Sequence, residues 1–294
     1  MSGLRCDLVD ARLLIATQVD GVVGHSAMFE DVLLRLNTVI SRWGSKHGAE
    51  TVQFPPVMNR AHLERNGYLK SFPQLATALH GFTCNGHGHA TGEDLPTDLM
   101  MVPSACYPIY PMVAARGPLA AGGALFNIQS WCFRREPSKD APRLQSFRMH
   151  EYVRLGTAED VLAFREAWID EAQAFCDSLH LPFRLDVAND AFFGRAGRLM
   201  ASSQRERNLK VELLIPITSE TEPTACCSFN YAEDHFTEAW EIAMEDGSKA
   251  FSGCIGFGME RTTLALFHHH GFNPERWPEE VRRVLYEDGV PTRF

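Results

Sequence analysis

Ser130 to Gly156, SWCFRREPSKDAPRLQSFRMHEYVRLG, is the stretch that decides how this chain is read. Two apolar, strand-like runs, Ser130 to Phe133 and Phe147 to Leu155, flank a polar loop from Arg135 to Gln145. That loop holds Pro137, Asp140, Pro142 and Arg143. Apolar runs joined by turn residues predict an antiparallel hairpin with a long tip. Strand side chains alternate, so Arg134 and Glu136 share one face and Arg135 takes the other. A solvated hairpin face would account for these charges. So would an anion site, with Arg134 neutralising a phosphate and Glu136 accepting from a base edge. Both readings stay open on this stretch alone.

The 294 residues suffice for a large core, in one big domain or two modest ones. Apolar residues make up 45% and charged residues 22%, which is ordinary for a globular chain. No run approaches a membrane span. Acidic residues interrupt the apolar ones in the N-terminal MSGLRCDLVDARLLIATQVDG, unlike a signal peptide, so a cytoplasmic location is expected. The eight cysteines are scattered with no CxxC, which favours free thiols or metal ligands over disulfides. Cys84, His87 and His89 stand close together, but they lack a fourth neighbour and sit among glycines, so a loop is expected there. A net charge of -9 disfavours a polyanion as partner.

Residues 26–47 predict an amphipathic helix capped by Ser26, with Met28, Val32, Leu36, Val39 and Trp43 as its apolar stripe. A strand from Glu50 to Phe54 follows and stops at Pro55-Pro56. Val102 to Pro111, VPSACYPIYP, reads as a loop. Thr157 and Asp160 form a capping box for a core-facing helix carrying Val161, Phe164, Trp168, Ala172, Phe175 and Leu179. Asn189 to Lys210 is a locally basic region in an acidic chain, with Arg195, Arg198, Arg205 and Arg207. It is either a solvated helical face or a landing patch for an acidic partner. Lys210 and Glu212 then share a strand face, where a buried carboxylate needs a counter-charge or a metal. Gly253 to Leu266, GCIGFGMERTTLAL, is a glycine-spaced strand entering an apolar helix, with Arg261 near its start.

Taken together these segments resemble the class II aminoacyl-tRNA synthetases. Phe133-Arg134-Arg135-Glu136 and Arg148-Met149-His150-Glu151-Tyr152 match motif 2 (about 130–156), Gly253 to Leu266 matches motif 3, and residues 26–56 match motif 1. The resemblance implies an α+β fold whose mainly antiparallel sheet is flanked by helices, in a single catalytic domain over 1–294. It implies a homodimer built on motif 1. It also implies ATP contacts at Arg134, Glu136, Arg143, Leu144, Tyr152 (stacking adenine), Glu212 (with Mg²⁺), Ala225, Cys226, Cys227, Ser228 and Arg261, with Arg134 and Arg261 catalytic. With 25 residues before Ser26 and 28 after Leu266, no tRNA-binding domain is expected.

Cys106 stands where bacterial seryl enzymes carry the glutamate that grips the amino group. With Glu151 and Cys254 it matches the zinc ligands of atypical archaeal seryl-tRNA synthetases and of their truncated relatives, the amino acid:[carrier protein] ligases. The chain is very similar to that family along nearly its whole length. The resemblance implies one Zn²⁺ per chain binding the amine of a small amino acid, glycine or alanine, with Glu151, Asp190 and Lys210 lining its pocket. It implies activation to an aminoacyl-adenylate and transfer to the phosphopantetheine thiol of a carrier protein, with no tRNA and no membrane involved. A seryl-type enzyme acting on a tRNA acceptor end and a non-catalytic paralogue stay open as alternatives.

Overall fold

The computed structural model describes residues 3–84 and 90–286. In chain order these form α1 (Gly3–Asp10), β1 (Leu14–Ala16), β2 (Val23–His25), α2 (Ala27–Lys46), β3 (Glu50–Gln53) and β4 (Val57–Asn59). Then come α3 (Arg60–Arg65), α4 (Tyr68–Ser71), β5 (Ala78–Cys84), β6 (Ala90–Met101), α5 (Ile109–Arg116), β7 (Ala124–Phe133) and β8 (Ser146–Gly156). The remainder is α6 (Ala158–Ser178), β9 (Arg184–Val187), α7 (Gly194–Glu206), β10 (Lys210–Ile215), β11 (Thr224–Glu233), α8 (His235–Ala239), β12 (Phe251–Gly258), α9 (Met259–His270) and α10 (Glu279–Tyr286).

Seven strands make the main sheet in the order β3-β7-β8-β12-β11-β10-β9. Only the β3–β7 pair is parallel. This is the α+β arrangement expected. The hairpin of β7 and β8 lies inside the sheet, and β7 begins six residues earlier than its apolar run suggested, at Ala124. Its partners on β8 are buried on both faces, so Phe126 and Ile128 extend the strand without the alternation that marks a half-exposed one. Residues 134–145 form the tip, held down where Gln145 donates its backbone N–H to Gly21 O (2.7 Å) and its amide to Asp20 O (2.7 Å).

One face of the sheet is covered by α2, α6 and α9, whose apolar stripes close the larger core around Trp168, Tyr152, Phe29 and Phe267. Ser26 caps α2 by accepting from Phe29 N, and Thr157 and Asp160 form the capping box of α6. The buried stripe of α2 runs through Phe29, Val32, Leu33, Leu36 and Ile40, while Met28 is exposed. The stripe is thus rotated from the expected one, because Phe29 rather than Met28 stacks on Phe267 of α9. Residues from Ile109 onward form α5, so the loop predicted over Val102 to Pro111 ends early, and α5 packs with α8 on the opposite face. Residues 85–89, which include His87 and His89, lie outside the described residues.

A buried charge network ties the three motif segments together. Glu260, 1% exposed at the start of α9, accepts from the backbone N–H of Arg148 (2.7 Å) and from its Nε (2.8 Å). The other end of the same guanidinium donates to both oxygens of Glu30 on α2, at 2.7 and 2.6 Å. Burial raises the Glu30 pKa, but Arg148 and His25 outweigh it and hold the carboxyl below its ordinary value. Two positions along β8, His150 donates from Nδ1 to Asn37 Oδ1 (2.9 Å), and its buried Nε2 has no partner among the described residues. Burial pushes its pKa down to about 3.

Removing one member of a buried ion pair strands the other. Glu260→Ala is therefore expected to cost about 3–5 kcal/mol in urea unfolding, and a loss below about 1 kcal/mol would show that the pair does not hold the fold. His150 titrates at about 3 in the folded chain and near 6.5 when unfolded, so the unfolded chain binds the extra proton first. Stability should fall as pH drops from 6.5 towards 3, and His150→Gln should flatten that slope in denaturation curves taken across the range.

Candidate active site

Strand register assembles the site. Directly paired residues put Ile128, Glu151, Gly256, Ser228 and Glu212 in one row across β7, β8, β12, β11 and β10. The next row holds Val153, Cys254, Asn230 and Lys210. Paired residues point to the same face, so these rows form a floor turned away from α2, α6 and α9. Gly256 is needed there. A Cβ at this position would lie 2.8 Å from Met149 Cε and 3.4 Å from Ser228 Oγ, filling the space beside Glu151.

The loop before α5 carries Cys106 over this floor. It is strapped to the end of β7, because Phe133 N donates to Val102 O (2.8 Å) and Arg134 Nε to Pro103 O (2.9 Å). Ala105 N and Ser104 Oγ both donate to Glu151 Oε1, at 2.8 and 3.1 Å. Glu151 Oε2 is buried and has no partner among the described residues. Cys106 Sγ, a carboxylate oxygen of Glu151 and Cys254 Sγ all lie within 4.8 Å of one another. In a tetrahedral zinc site two thiolates sit ~3.8 Å apart, so small side-chain movements would close the set. The Cys106 thiol is pushed well above its ordinary pKa by a hydrogen bond with Cys254, then by burial and by the Glu151 carboxylate. A divalent cation would reverse that balance and release the protons. A buried carboxylate oxygen beside two cysteine sulfurs, with no ion pair to any of the three among the described residues, fits a metal of zinc's preference.

Next to this trio three arginines converge. Arg261 donates to Pro142 O (3.1 Å) and Ala225 O (2.9 Å), and among the described residues neither it nor Arg134 joins an ion pair. Burial lowers the Arg261 pKa, and the positive fields of Arg134 and Arg143 lower it further. Such an excess of positive charge inside an acidic protein suits a polyphosphate. Arg143 is exposed on the hairpin tip and Leu144 is buried beside it. Glu136 is half-buried on the same tip.

Lys210 Nζ bridges Asp190 (2.6 Å) and Glu212 (3.0 Å). Burial opposes both charges, yet the pairing keeps Asp190 below and Lys210 above its ordinary pKa. The Glu212 carboxylate thus already has a counter-charge in Lys210. Ser228 lies on the floor, whereas Cys227 pairs with Phe257 on the helix-covered face. Burial raises the Cys226 thiol to about 12 and the Cys227 thiol well above its ordinary value, so neither is a nucleophile at neutral pH.

Tyr152 is a correction. The adenine-stacking role assigned to it does not fit, because its ring is fully buried on the helix side, stacked on Trp168 at 4.4 Å. Its hydroxyl donates to Ile40 O (2.8 Å) and accepts from Gly44 N (3.1 Å). Glu151 faces the site, so alternation turns Tyr152 away. The apolar side chains that β8 turns to the site face are Phe147, Met149, Val153 and Leu155. Ser104 and Asn230 are site residues that the sequence did not reveal. They meet the trio across 47 and 24 positions of chain, where no local pattern extends.

If the trio holds a metal ion, Cys106→Ser and Glu151→Gln should each abolish the zinc bound per chain in metal analysis of the purified protein. Stoichiometric zinc in both variants would remove the trio as the metal site.

No model of a known protein family matches the sequence. The chain is 48% identical over 290 residues to amino acid:[acyl-carrier-protein] ligase 2 of Bradyrhizobium diazoefficiens, covering 93% of this chain and 86% of that one. It is 48% identical over 278 residues to ligase 1 of the same organism, covering 90% and 85%. The type-2 serine–tRNA ligase of Methanopyrus kandleri is 26% identical over 206 residues, covering 65% of this chain and 39% of that enzyme. Among solved structures, the M. kandleri seryl-tRNA synthetase in complex with A. aeolicus tRNASec superposes with a TM-score of 0.82 at 18% identity, covering 98% of this chain and 61% of that one. The cytoplasmic serine-tRNA ligase of Naegleria fowleri in complex with AMP gives 0.70 at 15% identity, covering 90% and 54%. The fold is that of the class II synthetase catalytic core, and the chain belongs to the family of amino acid:[acyl-carrier-protein] ligases.

Proposed function

We propose that this enzyme uses ATP to activate a small amino acid, glycine or alanine, and passes it to the phosphopantetheine thiol of a carrier protein. The carrying observation is the sheet floor itself, where three side chains able to hold a cation stand beside Arg134, Arg143 and Arg261, of which Arg134 and Arg261 join no ion pair among the described residues. In the first step the amino-acid carboxylate attacks the α-phosphorus of ATP, forming the aminoacyl-adenylate and releasing pyrophosphate. Arg134 meets the α-phosphate oxygen as charge develops there, and Arg143 and Arg261 hold the departing pyrophosphate. Glu136 and the backbone from Ala225 to Ser228 position the nucleoside, and Glu212 would hold the Mg²⁺ that accompanies ATP. Zinc on Cys106, Glu151 and Cys254 would supply a Lewis-acid site for the neutral amine of the substrate. In the second step the carrier's thiolate attacks the adenylate carbonyl, giving the thioester and AMP. The ligase itself needs no nucleophile.

Carrier docking is assigned to α7. Leu199 is 71% exposed and Phe193 59%, with Met200, Arg198 and Arg205 also exposed around them. An apolar patch edged by arginines suits an acidic, helical carrier. The side chain of Arg195, the other arginine of this patch, is not among those described. Gln204 on the same helix donates to Asp190 Oδ2 (2.9 Å), the carboxylate paired with Lys210, which supports a docking surface near the floor. Homodimer formation through α2 and β3, a single catalytic domain, a cytoplasmic location and independence from tRNA complete the proposal. No described helix is long and apolar enough to cross a membrane.

Amino-acid-dependent ATP–pyrophosphate exchange should be fastest with glycine or alanine. Labelled amino acid should then transfer to phosphopantetheinylated carrier and not to tRNA. Transfer to tRNA alone would overturn the proposal. Arg198→Glu should slow thioester formation at least tenfold while leaving exchange unchanged, and equal loss in both steps would remove α7 as the docking surface.

A further inference from the structure

The metal-binding trio does not stand alone. Glu151 Oε1 lies within reach of two donors, Ala105 N and Ser104 Oγ, and Oε2 has no partner among the described residues. Ser104 Oγ also lies 3.3 Å from Cys106 Sγ. On the other side, the Asn230 amide nitrogen lies 3.5 Å from Cys254 Sγ, 3.3 Å from Cys254 O and 3.2 Å from Ser228 Oγ.

These contacts match the electrostatic need of the site. Two thiolates and a carboxylate carry three negative charges against two on the metal, which leaves a partly buried site with one excess negative charge. The nearest strand-paired cation, Lys210, is committed to Asp190 and Glu212. Neutral donors must therefore meet the sulfurs. Ser104 has one hydroxyl proton, and because Ala105 N already serves Oε1, that proton can turn to the Cys106 thiolate without stranding the carboxylate. The Asn230 amide has two N–H groups, one of which can reach Cys254 Sγ while the other stays with the strand. Hydrogen bonds on a thiolate withdraw electron density from its metal bond, so the metal remains a stronger Lewis acid towards a fourth ligand.

We propose that Ser104 and Asn230 are positioning residues of this metal centre, donating to the Cys106 and Cys254 thiolates, while Ala105 N holds Glu151 Oε1 and leaves Oε2 to the metal. The proposal rests on the zinc reading of the trio and adds what sets its affinity and its polarity.

The test uses the full-length protein stripped of metal, with wild type, Asn230→Leu, Asn230→Asp and Ser104→Ala compared. Zinc affinity is read by competition with a chromophoric chelator, and the sulfur-to-metal charge-transfer band is read after loading with Co²⁺. Asn230→Leu is expected to bind zinc about 10–100-fold more weakly. Asn230→Asp should bind it more weakly still, because a carboxylate then faces the thiolate. The cobalt band should move to lower energy in both, and to a smaller extent in Ser104→Ala. A role in packing alone predicts the reverse ranking, since aspartate matches asparagine in shape, and leaves the band unmoved; that result overturns the proposal. Ser104→Ala lies on a half-buried loop position and keeps the test available should an Asn230 variant fail to fold. A wild-type protein that takes up cobalt with no thiolate band overturns the trio itself. A wild-type band with unmoved variants overturns only the role of Ser104 and Asn230.

Discussion

The carboxylate of Glu260 holds the central strand in place. It receives both the backbone N–H and the Nε of Arg148, and the rest of that guanidinium reaches Glu30 on α2. One buried ionic cluster thus fixes α2, β8 and α9 relative to one another. Such clusters contribute little net stability compared with apolar packing, but they tolerate no displacement, since any shift leaves a buried charge unpaired. Its effect here is on register. A slip of one residue in β8 would take Arg148 away from Glu260 and exchange every side chain between the two faces.

The consequences of that register run through the whole site. With Arg148, His150 and Tyr152 on the helix-covered face, Met149, Glu151 and Val153 fall on the other. On the helix face Tyr152 stacks on Trp168, and burial pushes the His150 pKa down to about 3. The opposite face receives Cys254, Asn230, Ser228, Glu212 and Lys210 from the neighbouring strands. One strand therefore separates two environments of opposite character. The polar floor is affordable only because its groups are paired across strands, as Lys210 is with Asp190 and Glu212.

Charge is distributed unevenly for a reason. The chain is acidic overall, yet Arg134 and Arg143 act on Arg261, and among the described residues neither Arg134 nor Arg261 joins an ion pair. Burial lowers the Arg261 pKa, Cys226 and Glu212 oppose that shift, and the fields of Arg134 and Arg143 add to it, so a bound anion would be favourable there. The trio of Cys106, Glu151 and Cys254 is the complementary case, a carboxylate beside two cysteines that together could hold a cation. Two sites of opposite sign on one floor suit a reaction that joins a phosphate ester to an amine-bearing substrate.

Much of the architecture was legible in the residues themselves. Capping at Ser26 and at Thr157 and Asp160, glycine spacing before Arg261, and the hairpin around Arg134 are local patterns, determined by hydrogen bonds and steric limits within a few residues. The candidates Arg134, Glu136, Glu151, Cys106 and Cys254 came from motif resemblance, which carries identity but not direction. What a side chain faces is decided by strand parity across the sheet, and on that ground Tyr152 leaves the nucleotide site although it adjoins Glu151 in sequence. The same holds for Met28, which yields its place on the core stripe to Phe29. Ser104 and Asn230 had no sequence signature, because single hydrogen bonds to sulfur and to one carboxylate oxygen leave no periodic trace. The sequence alone determined which elements form and which chemistry-bearing residues are available. Only the tertiary structure decided which of them meet, because that depends on register and on contacts between segments far apart in the chain.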